Sequence, residues 1–208
     1  MNGGWLARGR SRLAAWRCRA RLRQLKLLVL DVDGVLTDGG LWTTESGEVI
    51  KRFDVRDGLG IRLLQQAGLE VALLSGGKSG ATEQRARYLG LQHCLTGVKD
   101  KPAALANLQR QLGLTPAATA FVGDDLNDLP VRPVVALLVC PADAAAPLRR
   151  RCDWVLPRRG GDGAVRLLAE AILQAQGRWQ ALAVAGWFDR NDGPAAPLTT
   201  APGRAAQP

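Results

Sequence analysis

The stretch Leu27-Leu28-Val29-Leu30-Asp31-Val32-Asp33-Gly34-Val35-Leu36-Thr37-Asp38-Gly39 decides how the rest of the chain is read. Four consecutive aliphatic residues bounded by Asp and Gly read as a short strand buried on both faces. A strand apolar at every position belongs to a parallel sheet covered by helices on both sides. In such sheets ligands bind beyond the carboxyl ends of the strands. Asp31 and Asp33 therefore stand where chemistry is expected.

Working outward, Leu41-Trp42 and the run 49–53 flank Glu45-Ser46-Gly47 and predict a β-hairpin. Residues 58–67 form an amphipathic helix closed by Gly68. A strand follows at 71–74, then helices over 79–89 and from Pro102 to about Gly113, strands at 119–122, 135–139 and 154–156, and a helix over 162–176. Strands alternating with helices at this spacing argue an α/β fold. The expected architecture is a Rossmann-like parallel sheet with helices on both faces, a β-hairpin inserted after the first strand and no cap domain. Neither the gap from Asp31 to Ser75 nor that from Ser75 to Lys101 has room for a cap of ordinary domain size. His93 reads as structural, and Trp42 as a packing residue of the hairpin or a subunit contact.

The chain has 208 residues, 47% hydrophobic and 23% charged, which excludes a wholly disordered protein. No apolar run approaches the roughly 18 residues of a membrane span. Cys18, Cys94, Cys140 and Cys152 form no CxxC pair, which argues for free thiols in a reducing cytoplasm. The net charge of +9 is concentrated at the start, where residues 1–26 hold seven arginines and Lys26 with no acid. Residues 1–24 thus read as a basic arm. One reading is an amphipathic helix on an anionic membrane or nucleic acid; the other is a loosely ordered extension or an early start. Residues 25–182 read as the domain. Residues 183–208, rich in Gly, Pro, Ala and Thr towards the end, read as a flexible tail.

Four chemical features fall just after predicted strands or at a helix start: Asp31 with Asp33, Ser75-Gly76-Gly77-Lys78, Lys101, and Gly123-Asp124-Asp125. Carboxylates brought together raise one another's pKa, and a hard divalent cation relieves this. Oxygen donors without His or Cys favour Mg²⁺. Lys101, the Ser75 hydroxyl and nearby backbone N–H groups would hold phosphate oxygens. One carboxylate can then attack phosphorus. The other, two residues on, can protonate the leaving oxygen and later deprotonate water.

These motifs, taken in order, resemble those of the haloacid dehalogenase superfamily: Asp31-Val32-Asp33-Gly34, then Ser75, then Lys101, then Gly123-Asp124-Asp125-Leu126-Asn127-Asp128. The resemblance implies Asp31 as nucleophile and Asp33 as general acid/base. It also implies Mg²⁺ held by Asp31, the Asp33 carbonyl and Asp124, with Asp128 in support. Phe53-Asp54-Val55-Arg56-Asp57-Gly58-Leu59-Gly60-Ile61-Arg62 and Gly160-Gly161-Asp162-Gly163-Ala164-Val165-Arg166 resemble the 3-deoxy-D-manno-octulosonate 8-phosphate phosphatases, over residues 25–180 or so. That likeness implies a cytoplasmic homotetramer joined through its hairpins, acting on a keto sugar phosphate of lipopolysaccharide synthesis. By position it implies substrate contacts by Asp33, Asp54, Val55, Arg56, Asp57 and Gly58, and by Arg62, Ser75, Gly76, Arg85 and Lys101. The family usually carries Arg where this chain has Gly77, followed by Lys78. That departure keeps a nonulosonate 9-phosphate ester, or a non-catalytic sugar-phosphate-binding module, as alternatives.

Overall fold

Strand β1 (Leu27–Leu30) lies in the middle of a six-stranded sheet. The computed structural model describes residues 3–78 and 80–186. Beyond the hairpin β2 (Trp42–Thr43) and β3 (Val49–Ile50) come β4 (Glu70–Leu74), β5 (His93–Leu95), β6 (Thr119–Val122), β7 (Leu137–Cys140) and β8 (Trp154–Val155). The spatial order is β5-β4-β1-β6-β7-β8, and every adjacent pair is parallel. The chain winds outward from β1 to β5 and then crosses back to β6, on the other side of β1. This reversal opens a crevice beyond the carboxyl ends of β1 and β6. Leu30 pairs with Val122 there, and the Asp31 N–H donates to the Val122 carbonyl at 2.9 Å. Asp31 is thereby fixed one residue past the last strand pair.

The strands are buried on both faces, as four aliphatic residues in a row require. Leu28 and Leu30 point towards α1 (Gly3–Gln24), α2 (Val55–Gln66), α3 (Gly80–Tyr88) and α6 (Ala164–Ala175). Leu27 and Val29 point towards α4 (Lys101–Gln111), the 3₁₀ turns Leu126–Val134 and the short α5 (Ala146–Arg149). The expected α/β architecture is present, with a hairpin and no cap domain between β1 and β4.

Several boundaries differ from the sequence reading, each for a local reason. α2 begins at Val55 because the Asp54 carboxylate accepts from the Arg56 N–H at 2.7 Å and caps it. This shortens the second hairpin strand to two residues. α1 is a helix whose last turns belong to the core: Cys18 and Leu22 are buried, and Arg21 donates to the Asp153 carboxylate at 2.7 Å. The arm's side chains before Leu13 lie outside the described residues. The final helix, α7 (Trp179–Ala185), passes the expected boundary at 182, and most of the expected tail, 187–208, also lies outside them. No helix among the described residues is long and apolar enough to cross a membrane.

α2 and α6 meet through a buried carboxylate. Asp57 Oδ1 accepts from the Arg166 N–H at 2.8 Å, and Oδ2 from the Gly163 N–H at 3.3 Å. These are donors that the first turn of α6 cannot satisfy internally. Burial pushes the Asp57 carboxyl up to about 6, and the two N–H groups oppose that rise. Asp57→Ala strands both donors and is expected to cost about 1–3 kcal/mol, read as a lower urea midpoint by circular dichroism.

Candidate active site

Asp31 is 5% exposed and held by two contacts. Its Oδ1 accepts from the Val32 N–H at 2.8 Å, and its Oδ2 lies 2.8 Å from Lys101 Nζ. Lys101 opens α4, which Asp100 caps by accepting from the Ala103 N–H. Its ammonium also donates to Asp128 Oδ1 at 2.6 Å. Asp128 is fully buried, and its Oδ2 accepts from the Asp124 N–H at 2.8 Å and the Asp125 N–H at 3.3 Å. Asp128 thus ties Lys101 to the loop after β6.

Oxygens of Asp31, Asp124 and Asp128 all lie within 4.8 Å of one another. Burial alone would lower the Lys101 pKa, but Asp31 and Asp128 outweigh it and raise it. Burial and then Asp128 raise Asp31, against Lys101. Burial, reinforced by Asp128, Asp31 and Asp125, pushes Asp124 up to about 7. Three carboxylates around one ammonium leave an excess of negative charge. Oxygen donors alone, close together and over-charged, fit a hard divalent cation such as Mg²⁺. Asp31 and Asp124, which line the adjoining cavity, could hold it; Asp128 lies fully buried and does not line that cavity.

Two glycines allow the approach. Gly34 has φ of 80°, and a Cβ there would overlap the Asp124 carboxylate. A Cβ on Gly160 would overlap the Gly34 carbonyl. The glycine-rich segment before α6 therefore supports the Asp33–Gly34 turn from behind.

A cavity of about 460 Å³ opens at this point. Of the residues expected from sequence, Asp31, Asp33, Ser75, Gly76, Lys101 and Asp124 line it, and Gly77 lines it too. Ser75 Oγ accepts from the Gly77 N–H at 3.3 Å, which fixes the turn after β4. Lys99, which was not singled out from sequence, also lines the cavity, as does Asn127, which stands in the fourth motif but was given no role there. Each reads as an ordinary polar residue in a loop, so only position reveals it. Lys51 was missed as well: its ammonium lies 2.7 Å from Asp33 Oδ1.

The remaining predicted contacts do not line this cavity. Arg56 bridges Asp54 and Asp162, at 2.6 and 2.7 Å. The Arg56 guanidinium holds the Asp54 carboxyl below its ordinary range, against burial. Arg85 donates to the Asp54 carbonyl at 3.1 Å and packs over Phe53 and Tyr88, and Gly58 is buried close to its guanidinium. Arg62 donates to the Tyr88 carbonyl at 2.7 Å. Val55 is 79% exposed, and Asp57 faces the start of α6. Within one chain these contacts join α2 to α3 and to the start of α6.

Comparison with known proteins agrees with this geometry. A family model for haloacid dehalogenase-like hydrolases matches residues 48–131. The 3-deoxy-D-manno-octulosonate 8-phosphate phosphatase of Escherichia coli strain K12 is 43% identical over 159 residues, covering 76% of this chain and 85% of that protein. The crystal structure of the Moraxella catarrhalis phosphatase of the same name, in complex with magnesium ion, phosphate ion and a KDO molecule, has a TM-score of 0.79 at 34% identity. That match covers 81% of this chain and 97% of that one. The cobalt-bound form of the Haemophilus influenzae phosphatase has a TM-score of 0.77 at 41% identity, covering 79% and 96%. The chain belongs to the 3-deoxy-D-manno-octulosonate 8-phosphate phosphatase family of haloacid dehalogenase-like hydrolases.

Proposed function

We propose that this chain is a Mg²⁺-dependent phosphomonoesterase that hydrolyses 3-deoxy-D-manno-octulosonate 8-phosphate to the free keto sugar acid and phosphate, in lipopolysaccharide sugar synthesis. The observation that carries the reading is the Asp31–Lys101–Asp128 chain of contacts, set beside Asp124 at the topological switch point. A binding module has no need of a buried carboxylate at the strand end, pinned by a lysine and aimed into an open cavity.

Asp31 is the nucleophile. Its contacts to Val32 and Lys101 fix its rotamer, so its approach to phosphorus is set before substrate arrives. As the Asp31–phosphorus bond forms, the ester oxygen departs and takes the proton held by Asp33. Asp33 then accepts a proton from water, whose oxygen attacks phosphorus and releases Asp31. Lys101, the Ser75 hydroxyl and the N–H groups of the following turn balance charge on the phosphoryl oxygens. When bound by Asp31, the Asp33 carbonyl and Asp124, Mg²⁺ supplies Lewis-acid neutralisation of the phosphate.

The cavity is open to solvent, and on the hairpin Leu41, Trp42 and Ile50 are 61, 70 and 54% exposed. We infer a cytoplasmic homotetramer joined through these hairpins, in which Arg56, Arg62 and Arg85 shape the substrate entrance with a neighbour's help. Gly77 leaves space where the family usually carries Arg. A nonulosonate 9-phosphate ester therefore belongs in the substrate panel.

Three outcomes are expected. Phosphate release from the octulosonate ester requires Mg²⁺ and exceeds that from hexose phosphates, and Asp31→Asn lowers it by at least about a thousandfold while the circular dichroism spectrum is kept. Folded wild-type protein without Mg²⁺-dependent turnover of any of these esters would overturn the reading. Mg²⁺ affinity, measured by calorimetry, falls as pH drops through about 7, because Asp124 then holds a proton that the cation must displace. The Mg²⁺-induced rise in thermal midpoint is accordingly larger at pH 8 than at pH 6. Light scattering gives the mass of four chains for wild type and a smaller mass for Trp42→Glu.

A further inference from the structure

Lys51 directly follows β3, next to a half-exposed isoleucine, yet its own side chain is only 2% exposed. Its ammonium turns inward and meets both oxygens of one carboxylate, Asp33 Oδ1 at 2.7 Å and Oδ2 at 2.9 Å. It also donates to Thr82 Oγ1 at 3.3 Å, and Thr82 is fully buried in the first turn of α3. The hairpin, the turn after β1 and α3 therefore converge on one ammonium. Burying a lysine head group is costly unless it is paired and hydrogen-bonded. Here the pairing falls on the side chain two residues past the nucleophile.

A general acid works only within hydrogen-bond reach of the oxygen it protonates. Asp33 stands on a turn next to Gly34, and its side chain is 35% exposed towards the cavity. Without a partner it would sample several rotamers, most of them useless for proton transfer. Asp33 Oδ1 is buried against Lys51, so the exposed part of the carboxylate, its Oδ2 end, is the part left to the leaving oxygen and to water. The two carboxylates of the DxD motif are thus each held by a separate buried lysine, Asp31 by Lys101 and Asp33 by Lys51.

We propose that Lys51 is a positioning residue for leaving-group protonation, fixing Asp33 where the turn after β1 meets the hairpin and α3. This rests on the phosphatase reading above. The step served is transfer of the Asp33 proton to the departing ester oxygen, as the Asp31–phosphorus bond forms and the phosphorus–ester bond breaks.

The test compares two esters by kcat/KM, which reports the steps through departure of the leaving group. The octulosonate ester leaves as an alkoxide and needs the proton; p-nitrophenyl phosphate leaves as a stable phenolate and does not. Lys51→Met is expected to lower kcat/KM for the sugar ester by about 10- to 100-fold, with a much smaller loss for the aryl ester. Lys51→Arg restores most of the sugar-ester activity. In an Asp33→Asn background, Lys51→Met causes no further loss, since the two residues act as a unit. The ratio of the two kcat/KM values does not depend on the folded fraction, so a destabilised variant still decides the matter, and Lys51→Gln gives an independent measurement. Equal losses on both esters, or a further loss in the Asp33→Asn background, would overturn the proposal. Wild-type protein that turns over neither ester with Mg²⁺ would overturn the phosphatase reading, and the proposal with it.

Discussion

The ammonium of Lys101, 3% exposed and shared between Asp31 and Asp128, is the contact on which the site depends. It ties the Asp31 carboxylate to the loop after β6 from α4, beyond the last backbone hydrogen bond between the two strand ends, Asp31 N–H to the Val122 carbonyl. A buried charge stripped of its partner costs about 3–5 kcal/mol, so the three residues are held or lost together. The same ammonium only partly offsets the carboxylates around it. Burial, and then the neighbouring carboxylates, leave the Asp124 carboxyl raised to about 7, and a cation of higher charge in that place would relieve both. The cost of gathering these carboxylates belongs to the metal-free protein and is relieved as the cation arrives.

The fold makes that gathering geometrically simple. Parallel strands end at one edge, and the reversal between β1 and β6 keeps helices from covering it. Asp31 follows one of these strands and Asp124 the other, so Leu30↔Val122 pairing sets their separation. The remaining adjustments are small and local. Gly34 lets the β1 turn pass beside Asp124, and Gly160 lets a distant segment back that turn. Neither glycine touches the chemistry, yet both define the floor under Asp33.

What was legible in the sequence follows from this economy. Acids and a serine directly after all-aliphatic runs are uncommon in a solvated surface pattern, so Asp31, Asp33, Ser75 and Asp124 stood out, and the parallel sheet with them. Lys101 was readable only because those motifs framed it. The cap at Asp54 was hidden because its ligand is a backbone N–H two residues on, and the start of α2 was misplaced accordingly. Lys51 was hidden for a different reason. A lysine at the end of an edge strand reads as solvated, and its inward course depends on Asp33 and Thr82, which are 18 and 31 residues away. The docking of α1 through Cys18 and Leu22 depends likewise on residues far along the chain. Arg56, Arg62 and Arg85 were placed by resemblance; the backbone carbonyls and acids they engage in one protomer carry no sequence signature.

The hairpin connects these points. It is short, held by two residue pairs, and exposes Leu41, Trp42 and Ile50. A two-stranded ribbon of this size is marginal alone in water, and an exposed apolar cluster marks a surface that association would cover. Its one inward residue next to β3, Lys51, ends on the acid/base carboxylate. In the tetramer proposed above, the neighbours that stabilise the hairpin would thereby also stabilise the position of Asp33. A capless enzyme needs something to order its acid/base and to exclude water, and here the same short ribbon would serve both ends. Assembly and proton transfer would then share one structural element, with Lys51 as the link between them.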